Sequence, residues 1–436
     1  MDLVWRFRFF LTRDPKGLTK FLKSVTWSDA AEAAQATEVI LPKWQNPAID
    51  DALELLGPGF KDRRVRAYAV GLLEKADDSE LILYLLQLVQ AIKFDSLAQL
   101  SSSVREERDS KQSSTEDEIA AAISSPSKPV RPSRSMRASS SINIFGEHQL
   151  ADFLIRRGIR NAELGNNLYW YIYVECEDKV QGKLFASVKE KFLDRLADMP
   201  SGRARREGLE RQTKLMKTLS KWAIELRFSK ETRPRKIEKL RGLIADPRSG
   251  MAELRPPLTL PLDAKVQVRG VVAEKSTIFK SNQLPLLLDF VRAKEGDEVT
   301  REEEAEVEDD GEGDGKARPK KAKQLAGPSY RIIFKNGDDL RQDQLVIQLF
   351  TLMDRLLRNE NLDLRLTPYK VLATGAEDGM VQFIESQSIN SILGQYQGSL
   401  LNYLRKHHPD PRSEGTFGVK AEVLDTYVRS CGEHHY

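Results

Sequence analysis

Cysteine and histidine are both scarce in this sequence. The chain has 436 residues, of which 2 are cysteines, Cys176 and Cys431, and 5 are histidines. Two cysteines cannot hold together a disulfide-rich extracellular scaffold. The adjacent His434 and His435 have no further ligand residues near them in the sequence, so we predict no metal site there. The sequence therefore favours a protein of a reducing compartment, and we expect it in the cytoplasm.

Long hydrophobic runs are also lacking. The longest apolar stretch, residues 81–92, is broken by Gln87 and Gln90. At about 1.5 Å per helical residue it falls short of a bilayer core of about 30 Å. Residues 1–11 mix aromatic and charged side chains, which is unlike the apolar core of a signal peptide. We predict a buried core helix at 81–92 and, at most, peripheral contact with a membrane.

Neither sign of charge is in large excess over the whole chain. The 68 Lys and Arg residues nearly balance the 65 Asp and Glu residues, for a formal net charge of +3. This balance argues against nucleic-acid binding by bulk positive charge, and we expect no nucleic-acid partner. However, residues 295–314 contain 12 acidic residues and one basic residue, so the rest of the chain carries +14. A basic body of this kind suits a protein that works at an anionic membrane.

Much of the positive charge lies in one segment, residues 203–248. It contains 15 Lys and Arg residues and 6 Asp and Glu residues. One interpretation is a surface that meets anionic phosphates. The other is an ordinary solvated helix face whose opposite side is buried. The predicted buried residues of that helix are Leu215, Leu219, Trp222 and Leu226.

Changes in composition and periodicity divide the chain into four parts. Apolar residues at helical spacing predict helices in 1–95 and again in 148–245. Between them, 96–147 is rich in serine and proline and is predicted to be disordered. From residue 246 the period changes to that of strands, with a further insertion predicted at 293–328 around the acidic tract. The predicted fold is therefore multidomain, with an all-α helical solenoid followed by an α+β domain.

The segment from residue 330 onward is the most informative about chemistry. Residues 330–335 form an apolar strand that ends in Lys335, and a polar turn leads into an amphipathic helix at 340–358. Kinases present a lysine to nucleotide phosphates from such a strand end, and a carboxylate from a nearby helix holds it. Asp343, in the first turn of the helix, is the candidate for that carboxylate. Periodicity predicts two more strands, at 364–374 and 380–385, which is also compatible with an unrelated α+β domain.

The residues themselves resemble the phosphatidylinositol 3-kinase family, and within it the class III, vacuolar-protein-sorting type. The resemblance is carried first by FKNGDDLRQDQL at 334–345 and ENLDLRLTPYKVLAT at 360–374. Further matches in the same order occur in DLVWRFRFFLT, TKFLKSV, ADDSELILYLLQLVQAIKF, LYWYIYVECED and VVAEKSTIFKS. The resemblance covers most of the chain outside the two insertions. It implies a helical accessory domain, whose first part is 1–95 and whose second part lies with a linker in 148–245. It also implies the N-lobe and first C-lobe helices of a catalytic domain at 246–436.

The resemblance also implies an ATP site. Phe279, Lys280 and Ser281 match the family's phosphate-binding loop, which is not glycine-rich. Lys335 matches the lysine that contacts the α-phosphate.

Five further residues complete the implied site. Asp343 and Tyr369 match polar residues that support the lysine, and Gln382, Phe383 and Ile384 match the hinge against which adenine lies. The implied cofactors are ATP and Mg²⁺ or Mn²⁺.

The family resemblance carries further expectations about partners. It implies phosphatidylinositol in anionic membranes as substrate, and regulatory protein kinase-like and autophagy or sorting subunits as partners. It places the protein peripherally on endosomal, vacuolar or autophagosomal membranes.

Two family motifs are missing from the sequence. There is no Asp-Phe-Gly and no Asp-Arg-His triplet, because the Asp-Phe pairs at 152–153 and 289–290 precede Leu154 and Val291. These motifs supply the groups that orient the attacking hydroxyl and bind the metal. We therefore expect a truncated form, from a fragment or an incomplete gene model, that is inactive as written. The alternative is a catalytically dead scaffold that uses its helical solenoid to bind partners.

Overall fold

A computed structural model describes residues 2–45, 47–95, 150–293, 327–412 and 416–432. The predicted serine-rich insertion at 96–147, nearly all of the predicted insertion at 293–328, and the two terminal histidines lie outside these residues. The chain forms two compact units, Met1–Asp198 and Met199–Tyr436.

The first unit is helical over the residues that are described. Its helices are α1 (Asp2–Arg6), α2 (Arg8–Leu11), α3 (Leu18–Ser24), α4 (Ala30–Ala34), α5 (Ile49–Leu55), α6 (Arg63–Leu73), α7 (Asp78–Ala91), α8 (Leu150–Arg160), α9 (Ala162–Glu175) and α10 (Gly182–Ala197). The core helix predicted at 81–92 is confirmed as α7, in which Leu81, Leu85 and Leu88 are fully buried.

Helices from both sides of the serine-rich segment pack into one core. Helix α7 contacts α8 and α9, and Asn161 Nδ2 donates to Asp78 Oδ2 at 3.0 Å. Helices α8 and α9 approach closely at Gly158, where an added Cβ would lie 3.2 Å from Gly165 Cα and 3.0 Å from Leu168 Cδ2. The helical segments of 1–95 and 150–198 therefore belong to the same unit.

The second unit is built on a seven-stranded antiparallel sheet. Its strands are β1 (Leu258–Leu260), β2 (Asp263–Val271), β3 (Thr277–Ile278), β4 (Leu286–Arg292), β5 (Ser329–Asn336), β6 (Val371–Ala373) and β7 (Asp378–Gln382). The order is β1-β2-β4-β5-β7-β6, and β3 pairs with β4 beside this path. The sheet curls, and Lys370 Nζ, one residue before β6, lies 2.7 Å from Asp263 Oδ1 of β2. The predicted fold, a helical region followed by a kinase-like α+β lobe, is confirmed.

One predicted strand is much shorter in the structure. The pattern predicted a strand over 364–374, but only Val371–Ala373 pairs with β7. Pro368 lacks a backbone N–H to donate to a neighbouring strand. Arg365 has a φ of +56°, which an extended strand does not allow. The segment before β6 is therefore irregular.

Six helices accompany the sheet within the described residues. They are α11 (Gly202–Phe228), α12 (Arg233–Ala245), α13 (Arg341–Asn359), α14 (Ile389–Gln395), α15 (Leu400–His407) and α16 (Ala421–Gly432). Residues 148–245 are predicted as the second part of the helical domain and a linker; in the structure, α11 and α12 lie in the same unit as the sheet. The reason is packing: α11 contacts β1 and β5, and α12 contacts β3. The predicted buried side of α11 is confirmed, since Leu215, Leu219, Trp222 and Leu226 are all buried.

Helix α13 confirms the predicted helix at 340–358 to within one residue. Its contact with the sheet is not the usual apolar one. An amphipathic helix next to a sheet ordinarily packs its apolar stripe on that sheet. Instead its one buried side chain is that of Gln344, whose Oε1 accepts a hydrogen bond from Ala373 N at 2.7 Å. The stripe residues Leu349, Met353 and Leu356 are exposed by 44%, 48% and 53%. Helix α13 is thus held to β6 by a polar contact, and its apolar side faces outward.

Candidate functional site

The loop between β3 and β4 contains the predicted phosphate-binding residues. Phe279 N donates to Pro285 O at 2.9 Å, and Leu284 N donates to Ser281 O at 3.2 Å. These two bonds close a compact loop whose Lys280 and Ser281 are exposed, while Phe279 is half-buried. Lys280 and Ser281 are therefore free to face a ligand.

Lys335 lies on β5, between the two strands that lead to the other site residues. Its backbone pairs with Gly379 of β7. The preceding residue, Phe334, pairs with Leu286, the first residue of β4 after the loop. This register places Lys335 next to the exit of the 279–285 loop on one side and next to β7 on the other.

The carboxylate beside Lys335 is not the predicted one. Lys335 Nζ lies 3.3 Å from Asp338 Oδ2, whereas Asp343 is an exposed residue of α13 and makes no ion pair within the described part of the chain. The difference arises in the turn, where Gly337 has a φ of +91°. Only glycine adopts such a conformation easily. The turn at Gly337 brings Asp338 back beside the lysine before the helix begins.

Asp343 and Tyr369 do come together, at a cavity of about 650 Å³. One wall is the first half of α13 and the other is the irregular segment before β6. The walls include Asp343, Val346, Ile347, Phe350, Tyr369 and Ser430, and Lys335 is not one of the lining residues that the structure describes. The two predicted supporting residues thus share a mainly apolar cavity with each other and not with the lysine.

The predicted hinge follows β7. Gln382, its last residue, exchanges two hydrogen bonds with the Lys370 backbone: Gln382 N donates to Lys370 O at 2.8 Å, and Lys370 N donates to Gln382 Oε1 at 3.1 Å. Phe383 N donates to Arg331 O at 3.0 Å, which keeps the hinge beside β5. Ile384 is exposed.

Two aromatic rings lie close together where the predicted hinge meets the predicted phosphate-binding loop. The Phe383 ring lies 6.3 Å from the Phe279 ring, centroid to centroid. The guanidinium of Arg331 lies 4.5 Å from the centroid of Phe383, within the range of a cation–π contact. The structure therefore brings the loop, the hinge and β5 into one neighbourhood, with half-buried aromatic surface at its centre.

One set of contacts at this site has no local signal in the sequence. Arg227 Nη1, at the end of α11, donates to Asn336 O at 2.9 Å and to Gln283 Oε1 at 3.0 Å. Asn336 directly follows Lys335, and Gln283 lies in the 279–285 loop. The available signal was the charge excess of 203–248, which we interpreted as a phosphate-facing surface or a solvated face. Neither interpretation includes arginines that donate to backbone carbonyls of the sheet.

Comparisons with known proteins agree with this architecture. A family model described as phosphoinositide 3-kinase family, accessory domain (PIK domain), matches residues 1–205. A second, described as phosphatidylinositol 3- and 4-kinase, matches 329–433. Phosphatidylinositol 3-kinase pik3 of Schizosaccharomyces pombe is 40% identical over 431 residues, which are 99% of this chain and 44% of that protein.

The chain belongs to the phosphoinositide 3-kinase family. Two more relatives carry the name phosphatidylinositol 3-kinase VPS34. That of Arabidopsis thaliana is 38% identical over 99% of this chain and 43% of its own length. That of Saccharomyces cerevisiae is 36% identical over 98% of this chain and 45% of its own length. The predicted family is therefore confirmed, and the chain spans a little under half the length of these relatives.

The matches leave the individual roles of the site residues as predictions. The β3–β4 loop lies between the two ranges that the family models match. Only the matches to the named relatives, which extend over nearly the whole chain, include this loop. None of the helices in the described part of the chain combines the length and the apolar composition that a membrane span requires.

Proposed function

We propose that this phosphoinositide 3-kinase chain supplies the nucleotide-binding lobe of a phosphatidylinositol 3-kinase. The complete reaction would transfer the γ-phosphate of ATP to the 3-hydroxyl of the inositol ring. The observation that carries the proposal is the placement of Lys335 on β5 between the exposed loop at 279–285 and the hinge at 382–384. A fixed ammonium between a loop and an aromatic surface suits a nucleotide, whose phosphates are anionic and whose base is flat.

Each part of the site has a distinct task in this proposal. Lys335 contacts the phosphates as a point charge, and Asp338 orients its ammonium. The exposed Lys280 and Ser281 cover the phosphates from the loop. Phe383 and Ile384 offer apolar surface to adenine, and aromatic contact of that kind is favourable for any base.

The metal ion does not fit the residues that are described. Within them, no group of three His, Cys, Asp or Glu side chains is placed to hold a metal ion. The sequence also has no Asp-Phe-Gly and no Asp-Arg-His motif. We propose that the 436 residues alone bind ATP but do not transfer its phosphate.

The same family proposal extends to location and partners. A body with a net charge of +14 outside the acidic tract supports peripheral binding to anionic endosomal, vacuolar or autophagosomal membranes. The helical first unit would bind regulatory protein kinase-like and sorting subunits.

Nucleotide binding by the purified chain tests the proposal. Titration with a fluorescent ATP analogue, displaced by ATP, should show saturable binding. Lys335→Met should weaken it by roughly 10- to 100-fold, the range of one charge-assisted hydrogen bond. Lys61→Met removes an exposed lysine of the first unit and should change nothing. Equal binding by wild type and Lys335→Met would refute the proposed site.

A turnover assay tests the proposed inactivity, and the ATP titration distinguishes a nucleotide-binding lobe from a scaffold. Incubation with ATP, Mg²⁺ and phosphatidylinositol vesicles should give no phosphatidylinositol 3-phosphate. Robust product would overturn the proposed inactivity. A chain that neither binds ATP nor turns over would instead favour the scaffold function.

A further inference from the structure

The corner between α11 and α12 contacts two separate segments of the proposed nucleotide site. Arg227, in the last turn of α11, donates through the same Nη1 to Asn336 O and to Gln283 Oε1. Gln283 in turn donates through Nε2 to Gly337 O at 3.3 Å. A closed set of three hydrogen bonds therefore joins the 279–285 loop to the turn that follows Lys335.

This contact depends on a glycine. A Cβ at Gly337 would overlap the guanidinium of Arg227 and lie 2.8 Å from Gln283 Oε1. The left-handed φ of Gly337 and the absence of its side chain thus allow the arginine to reach the backbone. The turn beside Lys335 and the helix corner fit each other as one unit.

The start of the loop is held from the same corner. Arg233, the first residue of α12, donates to Ile278 O through Nε at 2.9 Å and through Nη2 at 2.5 Å. Ile278 is the last residue of β3 and directly precedes Phe279. About two turns further along α12, Arg241 Nε donates to Ser276 O at 3.1 Å. The strand β3 has two residues and pairs only with β4 among the described strands, so these arginines replace a second neighbouring strand.

A second set of polar contacts fixes α11 to the other side of the turn. Ser220 Oγ donates to Asp378 Oδ2 at 2.8 Å, and Asn336 Nδ2 donates to Asp378 Oδ1 at 2.6 Å. Asp378 begins β7, and Asn336 follows Lys335. Helix α11 therefore has two attachments, seven residues apart, around the strand end that presents the lysine.

The geometry points to Arg227 and Arg233 as positioning residues of the nucleotide site. They set the distance between the 279–285 loop and Lys335, and through it the affinity for phosphates, without touching the nucleotide. This inference rests on the proposed function. It also gives a role to part of the positive charge of residues 203–248, because arginines of α11 and α12 donate to backbone carbonyls at the ends of β3 and β5.

The test compares ATP with adenosine, which lacks the phosphates. In the full chain, Arg227→Met and Arg233→Met should each weaken ATP binding by roughly tenfold and leave adenosine binding unchanged. Arg227→Lys keeps one donor for Asn336 O and should recover part of the affinity. Arg235→Met removes an exposed arginine of the same corner and serves as the matched control. Gln283→Leu breaks the same bridge from the loop side, should Arg227→Met fail to fold.

The outcomes separate this inference from the function on which it rests. If wild type fails to bind ATP, both are wrong. If Lys335→Met weakens ATP binding while Arg227→Met, Arg233→Met and Gln283→Leu do not, only the inference is wrong. Equal loss of ATP and adenosine would mean a purely structural role and also overturns it. Hydrogen exchange should rise in 279–285 and 336–339 of Arg227→Met if the inference is correct.

Discussion

Lys335 Nζ and Asp338 Oδ2 lie 3.3 Å apart, across the turn that Gly337 makes at the end of β5. Both side chains remain partly open to solvent, with 29% and 39% of their surface exposed. An ion pair of this exposure contributes about 0–1 kcal/mol to stability, because water screens it. Its main effect is therefore on the direction of the ammonium and on the charge that an incoming phosphate meets.

In the proposed nucleotide site, the Asp338 carboxylate competes with phosphate for Lys335, and Asp338→Asn removes that negative charge. We expect the affinity for ATP to rise by about threefold, since the energy involved is below about 1 kcal/mol. The denaturation midpoint should stay nearly unchanged. Nucleotide titration of the full chain measures the first effect and urea denaturation the second.

Asp339→Asn is the control for that variant. The Asp339 carboxylate pairs with Arg341 at 2.7 Å and not with the lysine, and the hydrogen bonds from Arg341 hold the pKa of Asp339 below its usual range. It should leave ATP affinity unchanged. A loss of affinity in Asp338→Asn, with Asp339→Asn unaffected, would mean that orienting the lysine outweighs the competing charge.

Gly337→Ala should destabilise the second unit. The alanine must adopt a left-handed φ and its Cβ overlaps Arg227, at a cost of about 1–3 kcal/mol. Gly208→Ala, in the second turn of α11 where an added Cβ meets nothing within 4 Å, should stabilise by about 0.5–1 kcal/mol. Denaturation of the two variants, followed by tryptophan fluorescence, compares them. Equal stability of Gly337→Ala and wild type would contradict the described turn.

The thiol of Cys176 should react slowly at neutral pH. Its burial raises its pKa, and the positive charge of Lys189 offsets only part of the shift. The thiolate is the reactive form, so alkylation should reach half its maximal rate at a higher pH than in a short unstructured cysteine peptide.

The raised pKa of Cys176 also makes the stability of the folded protein depend on pH. Because the folded pKa lies above the unfolded one, the contribution of Cys176 to folding stability is complete below the unfolded pKa and is lost as pH rises through the folded pKa.

The alkylation rate with iodoacetamide, measured against pH in Cys431→Ser, reports on Cys176 alone. A midpoint at or below that of the peptide would contradict the burial.

The outward side of α13 should cause self-association of the purified chain. Contiguous exposed apolar residues such as Leu349, Met353 and Leu356 mark an association surface. Replacing all three with glutamine, which keeps helix propensity high, should lower light scattering on heating. Val180→Gln removes one isolated exposed residue and should not. Reversible two-state unfolding of the wild-type second unit, without aggregation, would count against this prediction.

The sequence by itself determined the elements whose signals are local. The alternating residues of 330–335 and the 3.6-residue spacing of 340–358 give β5 and α13 within a residue or two of the predicted bounds. The order of a helical region followed by a kinase-like lobe follows from such segments. The motifs at 334–345 and 360–374 indicate the family. The predicted strand at 364–374 was wrong over most of its length, because Pro368 and the left-handed Arg365 override the apolar alternation.

Only the tertiary structure decided which side chains meet. The lysine pairs with Asp338 and not with Asp343, because the backbone conformation at Gly337 sets the distance. Arg227 and its acceptor in Asn336 are 109 residues apart in the chain, and no local pattern relates them. A charge count along 203–248 cannot distinguish an arginine in solvent from one that donates to a carbonyl. That difference depends on which strand end lies beside the helix, and the packing of α11 on the sheet fixes it.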